Sequence, residues 1–251
     1  MNYPLAVFAI SFLALWLSTR TGIFLRGRLG TLDDETRQDF DVVRGATLTL
    51  LGLIIGFTFS MAISRYDQRK ACEEKEANAI GTEYLRVAVL PVADAAKARS
   101  LLVNYLDQRI RFFESRDADQ IKQINSVTVH MQDQLWSTVE APATGQPTPL
   151  TALAVGGMND VLDSQGYTQA AWWNRIPTAA WCLMGAIAIG SNLLLGYGAR
   201  GTKAHLSLSL ALPVIVAVSF FLISDIDSPR SGVIRVRPEN LISLSATLRP
   251  H

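Results

Sequence analysis

Four stretches of this sequence contain no Asp, Glu, Lys or Arg, and each is long enough to cross a lipid bilayer. They are residues 1–19, 45–64, 176–199 and 204–224, which are 19, 20, 24 and 21 residues long. A helix needs about 20 predominantly apolar residues to span the hydrocarbon core. The stretches therefore predict a membrane protein with four spans, and they exclude an ordinary soluble enzyme, a disordered tail and a secreted disulfide scaffold.

The charged residues concentrate between the second and third spans. Residues 65–175 hold 12 of the 23 basic and 14 of the 22 acidic side chains, and their apolar residues recur at helical spacing. Two such stripes are Leu101, Leu102, Tyr105 and Leu106, and Ile121, Ile124, Val127 and Met131. We therefore expect an all-α protein with a first transmembrane hairpin (1–64), a helical extramembrane domain (65–175), a second transmembrane hairpin (176–224) and a C-terminal tail (225–251).

Prolines and glycines predict where the helices of the central segment break. Pro91 should end a helix that continues out of the second span, and the three prolines and the glycine of residues 142–149 predict a loop. A further helix from about Thr151 should lead into the third span at Pro177. Arg20–Arg44 is expected to link the first two spans, and Arg200–Lys203 to form a tight turn between the last two.

The second span carries two rows of residues at four-residue intervals. The first row is small: Gly52, Gly56, Ser60 and Ser64. Small residues let helix backbones approach closely in lipid, so this row predicts a helix-packing seam. The second row is Thr49, Leu53, Phe57 and Met61. It is either a lipid-facing or core stripe, or the wall of a pore in which rings of apolar side chains gate by dewetting.

Charged residues follow the second and the fourth span directly. Those from Arg65 to Arg86 are either a solvated helix face or a charged vestibule. After the fourth span, Asp225 and Asp227 precede Pro229 and Gly232. These two carboxylates are candidate calcium ligands, because calcium prefers oxygen donors. Arg230 and Arg235 stand close by, so a structural ion-pair network is the alternative.

Other functions find no support in the sequence. Basic and acidic residues number 23 and 22, which leaves no net positive field to attract nucleic acid. No catalytic triad, nucleotide-binding glycine motif or zinc spacing is present, so we expect a protein that is not an enzyme. Cys72 and Cys182 have no metal-ligand spacing and are expected to be small packing residues.

Specific motifs resemble the bacterial bestrophin-like domain family. They are LGLIIGFTFS at 51–60, RYD at 65–67, EANAIGT at 76–82, YLR at 84–86, LP at 90–91, DIDSP at 225–229, and Gly232 with IRV at 234–236. Arg175, Pro177 and Trp181 add to the likeness, which extends from about Gly45 to Pro238. The bestrophin plan has four spans with a long helical intracellular segment between the second and third.

The resemblance implies an ion channel. Bestrophins are pentamers whose second span lines the pore, which here would place a hydrophobic neck at Thr49, Leu53 and Phe57. Their calcium clasp follows the fourth span, where this chain has only Asp225 and Asp227. The expected protein is therefore a homo-oligomer, with a pentamer favoured, that conducts small anions such as chloride through a multi-pass bacterial inner membrane. The competing hypothesis is a non-conducting membrane sensor or scaffold that binds a partner through its central helices.

Overall fold

Eight α-helices and one short 3-10 turn form the part of the chain that the structure describes, residues 3–29, 33–199 and 206–249, and no strand occurs there. The structure is a computed structural model. Its helices are α1 (Pro4–Leu29), α2 (Asp34–Arg86), α3 (Val92–Glu114), α4 (Ala118–Gly145), α5 (Pro149–Trp173), α6 (Thr178–Gly198), α7 (Leu206–Asp227) and α8 (Glu239–Leu248). The all-α prediction is confirmed.

The chain divides into two compact units that share helix α2. The membrane unit comprises Met1–Arg65 and Arg175–Ile234, and the central unit comprises Tyr66–Asn174 and Arg235–His251. Four helical segments are long and apolar enough to cross a membrane, and each overlaps one of the four charge-free stretches. The prediction of a membrane protein with four spanning helices is therefore confirmed.

Helices α1 and α6 pack at backbone distance in the membrane unit. A Cβ atom on Gly22 would come within 3.0 Å of the Leu193 carbonyl oxygen, and one on Gly196 would come equally close to the Thr19 carbonyl. Next to this contact, the hydroxyl of Thr19 donates to the side-chain oxygen of the buried Asn192 (3.3 Å). Burial of apolar surface gives little drive for helix association in lipid, so close approach and polar contacts hold this pair together.

The membrane segment of α2 is attached to α6 at one end and to α7 at the other. Near its start, the ring of Phe40 lies 5.6 Å from that of Tyr197. At its far end, the Arg65 guanidinium lies 3.9 Å from the Asp227 carboxylate. Between these two attachments most side chains of α2 are not covered by the chain itself, and only 17% of its most apolar window is buried.

The central unit has a conventional apolar core. Of the two predicted stripes, Leu102, Tyr105 and Leu106 on α3 are fully buried, and Ile124 on α4 is largely buried. The core is closed by an aromatic cluster in which the rings of Phe112, Phe113 and Trp172 lie 5.1–5.6 Å apart. These contacts fix α3, α4 and α5 within the unit.

Several predicted helix boundaries were wrong. Pro142 lies inside α4, which continues to Gly145, so the connection to α5 shortens to residues 146–148. A proline in the last turn removes only one helical hydrogen bond, and the Pro142 carbonyl still accepts one from the Gln146 N–H. Pro149 begins α5 behind a capping box formed by Thr148 and Thr151.

The connections around the spans also differ from expectation. Most of the predicted Arg20–Arg44 link is helical, because α1 continues to Leu29 and α2 already begins at Asp34. Pro91 marks the break after α2, as predicted, and precedes α3. Helix α5 ends at Trp173, and α6 begins at Thr178 after Pro177, so the two helices are separate. The predicted Arg200–Lys203 turn lies outside the described residues.

Substitution of Gly22 by alanine should destabilise the membrane unit. The added methyl group meets the backbone of α6, which cannot rotate away, so we expect a loss of about 1–3 kcal/mol, as is typical of overpacking. Gly27→Ala on the same helix is the matched control, since nothing lies within 4 Å of its Cβ position. Thermal unfolding in detergent should show a lower melting temperature for Gly22→Ala alone, and equal melting of both variants would contradict the close packing.

Candidate functional site

The predicted pore-lining row of α2 is exposed in the single chain. The exposed fractions are 53% for Leu53, 64% for Phe57 and 43% for Met61, and Thr49 is exposed too. A contiguous exposed row of large apolar side chains marks a surface that contacts a membrane or a partner. In a membrane protein they contact lipid, a second copy of the chain, or the lumen of a pore.

The small-residue row of α2 is open or exposed within the part of the chain that the structure describes. Gly52 and Gly56 have no atom within 4 Å of their Cβ positions, and Ser60 and Ser64 are exposed. The close helix packing of the membrane unit is instead made by Gly22 and Gly196. The predicted seam at Gly52 and Gly56 therefore stays a prediction for contact with another chain.

The opposite face of α2 is buried from Leu51 to Glu83. Within the membrane segment it presents Leu51, Thr58 and Ala62. Beyond the membrane segment, the same helical register continues with side chains that are at most 1% exposed, namely Arg69, Glu73, Glu76, Ile80 and Glu83. The charged stretch after the second span was interpreted as a solvated face or a vestibule, which is wrong for these residues. Following the buried register past Ser64 would have found them.

Two of the buried carboxylates anchor other helices of the central unit. Glu73 accepts hydrogen bonds from the backbone N–H groups of Asn240 and Leu241 at 2.9 and 3.0 Å, and so caps the first turn of α8. Glu76 forms an ion pair with Arg109, whose side chain is also fully buried. The second oxygen of Glu76 accepts from the Thr168 hydroxyl at 2.8 Å. Helix α2 thus binds α8, α3 and α5 through charged groups.

The third buried carboxylate, Glu83, lacks such partners. The side chain is 0% exposed, and neither of its oxygens has a hydrogen-bond partner in the described part of the chain. Burial raises the pKa of Glu83 to about 8, an effect that the nearby Arg86 opposes and that Asp160 reinforces. A raised pKa means that this carboxyl holds its proton at neutral pH.

A cluster of arginines follows the last span in the central unit. Burial lowers the pKa of Arg235, and the charges of Arg116 and Arg237 lower it further. Arg235 and Arg237 line a surface cavity of about 490 Å³, and Glu114 and Glu239 line it too. The lining of this cavity therefore carries charges of both signs.

Asp225 holds the turn that follows α7. Its two carboxylate oxygens accept hydrogen bonds from the backbone N–H groups of Val233 and Ile234, both at 2.8 Å. Gly232 makes this turn possible, because a Cβ atom there would lie within 3.0 Å of the carbonyl oxygens of Asp225 and Ser228. The DIDSP motif with its following glycine is therefore a structural unit that one carboxylate organises.

Asp227 binds the backbone just before helix α6. Both of its oxygens lie 3.2 Å from the Ile176 nitrogen, and Arg65 is its ion-pair partner. Within residues 3–29, 33–199 and 206–249, no three His, Cys, Asp or Glu side chains are arranged to hold a metal ion. Because backbone N–H groups already occupy Asp225 and Asp227, the geometry favours the structural alternative, and the calcium site at these residues stays a prediction.

The chain is similar to bestrophin-like proteins in both sequence and fold. The sequence profile of the bestrophin-like domain matches residues 6–241. The crystal structure of a bacterial bestrophin homologue from Klebsiella pneumoniae superposes with a TM-score of 0.68 at 13% identity, with 96% of each chain covered. A mutant of a Klebsiella pneumoniae homologue gives a TM-score of 0.67 at 13% identity and covers 95% of this chain and 96% of its own. None of the curated proteins matches the chain.

Replacement of Asp225 by asparagine should destabilise the membrane unit. The variant keeps one acceptor oxygen but loses the charge and one of two hydrogen bonds, for which we expect about 1.5–3 kcal/mol. Thermal unfolding should show this loss both with calcium and with a chelator. The control is Asp133→Asn, since the exposed Asp133 has no such bonds. A calcium-dependent rise in the melting temperature of the unsubstituted protein, abolished in Asp225→Asn plus Asp227→Asn, would support the predicted calcium site instead.

Proposed function

The chain belongs to the bestrophin-like domain family, and we propose that it is the subunit of an oligomeric channel for small anions, with the pore lined by α2. One observation carries this proposal: the face of α2 with Leu53 and Phe57 is exposed in the single chain, although α2 contacts α6 and α7 near the two ends of its membrane segment. A helix held in place with an uncovered apolar face is suited to line a shared axis.

A single copy of α2 cannot enclose a pore, so the proposal requires several copies around an axis. The small row at Gly52 and Gly56 runs beside the large row at Leu53 and Phe57, and no atom of the described residues lies within 4 Å of the Cβ positions of these two glycines. If the large row faces the axis, the small row faces sideways towards an adjacent copy. Glycine there would allow the adjacent helix to approach closely, as small residues do in membrane helices. By analogy with the bestrophins, we propose a pentamer.

The proposed gate is a constriction that excludes water. Stacked rings of Leu53 and Phe57 would narrow the lumen with apolar surface, and such constrictions gate by dewetting. Residues 45–64 carry no charge, Arg44 pairs with Asp41 at one end, and Arg65 pairs with Asp227 at the other. Fixed charge in the wall is therefore not the proposed source of selectivity. An apolar constriction favours ions that lose their water at low cost, so large halides should pass more readily than chloride.

Shortening the apolar side chains of the row should speed halide flux. Phe57→Ala and Leu53→Ala each widen the constriction, and we expect flux into liposomes to rise by about tenfold, which corresponds to a barrier lower by about 1.4 kcal/mol. Ile215→Ala on α7 is the matched control, because Ile215 is an equally apolar and exposed side chain on another span. Equal flux in all three variants would contradict the proposal that α2 lines the pore.

The number of subunits separates the channel from the sensor or scaffold. Native mass measurement of the protein in lipid nanodiscs should give a closed ring of about five copies, as the pentameric plan requires. Gly56→Leu should shift the protein to smaller species, because a large side chain prevents close approach of helices. Gly45→Leu is the control at a position that also has open space around it. A monomer or dimer without halide flux would favour the sensor or scaffold.

A further inference from the structure

We propose that Glu83 is a proton-binding site of the central unit, and that loss of its proton loosens helix α5 from helix α2. The inference goes beyond conduction and does not depend on it. It arises from one carboxyl that differs from every other buried acid on α2.

The surroundings of Glu83 do not stabilise an ionised carboxylate. Its side chain is fully buried, and both oxygens lack a hydrogen-bond partner among the residues that the structure describes. Glu73 and Glu76 on the same helix are buried to the same degree, but Glu73 accepts from α8, and Glu76 binds Arg109 and Thr168. An ionised carboxylate is stable in a protein interior only with such partners, so Glu83 is the one that must stay neutral.

The charged groups around Glu83 do not neutralise it. Arg86 on its own helix lies 3.6 Å from Asp160 on α5, and in the described part of the chain it forms neither a hydrogen bond nor an ion pair with Glu83. Asp160 adds a negative charge that further disfavours ionisation. From α3, Arg99 lies over the ring of Tyr84 and donates a hydrogen bond to the Tyr84 carbonyl. Its contacts are therefore with Tyr84 and not with the carboxyl of Glu83.

Helix α5 lies in direct contact with the carboxyl of Glu83. A Cβ atom on Gly157 would overlap an oxygen of Glu83 and the guanidinium of Arg86. The glycine therefore lets the backbone of α5 lie directly on the carboxyl. In the packed arrangement no donor bonds to either oxygen of Glu83, so a negative charge at this contact would regain hydration only if α5 moves away.

The direction of the pH effect follows from the raised pKa of Glu83. In the packed state the group keeps its proton up to about pH 8, whereas a solvated glutamate loses it near 4.5. The packed state thus binds more protons between these values, and its stability falls as the pH rises through that window and levels off above pH 8. One proton is released per opening, so the opening equilibrium should rise by up to about tenfold per pH unit.

The experiment is amide hydrogen exchange of the full-length protein in nanodiscs between pH 5 and 9, corrected for the intrinsic pH dependence of exchange. In the unsubstituted protein, the amides of α5 around Gly157 should lose protection up to about pH 8. Glu83→Gln and Glu83→Met remove the titrating group and should give protection that no longer varies with pH. The matched control is Glu74→Gln, an exposed glutamate on the same helix, which should behave like the unsubstituted protein.

A second readout reports the proton itself. Infrared spectra of the unsubstituted protein should contain a carboxylic acid band at pH 7 that disappears with a midpoint near 8 and is missing in Glu83→Gln. Loss of this band near pH 4.5, or the same exchange profile in Glu83→Gln as in the unsubstituted protein, would overturn the proposal. Neither readout requires ion flux, so a negative result here leaves the channel hypothesis standing, and the converse also holds.

Discussion

The fold depends on a single constraint, which is that helix α2 must bury one face along most of its 53 residues while its surroundings change. In the membrane segment that face is small or apolar, as at Leu51 and Ala62. In the central unit the same face carries charges, as at Glu73 and Glu76. Apolar contacts do little to join helices in lipid, so the membrane segment of α2 also relies on the Phe40–Tyr197 ring contact and the Arg65–Asp227 ion pair near its two ends. In the central unit, buried ion pairs and caps specify which helix α2 contacts.

The same contrast explains how the remaining helices are held. In the membrane unit, α1 and α6 meet where Gly22 and Gly196 bring two backbones together, and a buried Thr19–Asn192 hydrogen bond lies beside them. In the central unit, large aromatic and aliphatic side chains fill the core and the hydrophobic effect applies. Charged groups are then needed for orientation more than for stability, because a buried pair contributes little net free energy.

The sequence predicted the elements well and their partners poorly. The length of the charge-free stretches was enough to locate the four spans, because the thickness of the bilayer requires about 20 apolar residues in a spanning helix. Pro142 was misplaced because a proline in the last helical turn costs less than its residue type suggests. The row at Gly52 was identified as a packing seam from spacing, yet spacing could not distinguish contact within one chain from contact between copies. The packing of Gly22 on Gly196 joins residues 174 positions apart. A local sequence pattern cannot predict a contact of this kind.

Buried charge on α2 was missed because charged residues at helical spacing are usually solvated, and composition gives no sign of which face is covered. Once the register from Leu51 is extended, however, Glu83 becomes an exception that stability cannot explain. A leucine at this position would avoid the cost of a carboxyl with no partner, and the fold would lose no hydrogen bond. Conflicts of this kind between local chemistry and the folded environment are expected where a residue has a function. Gly157 points the same way: a glycine inside a helix costs about 1 kcal/mol relative to alanine, and here it is what allows α5 to rest on that carboxyl.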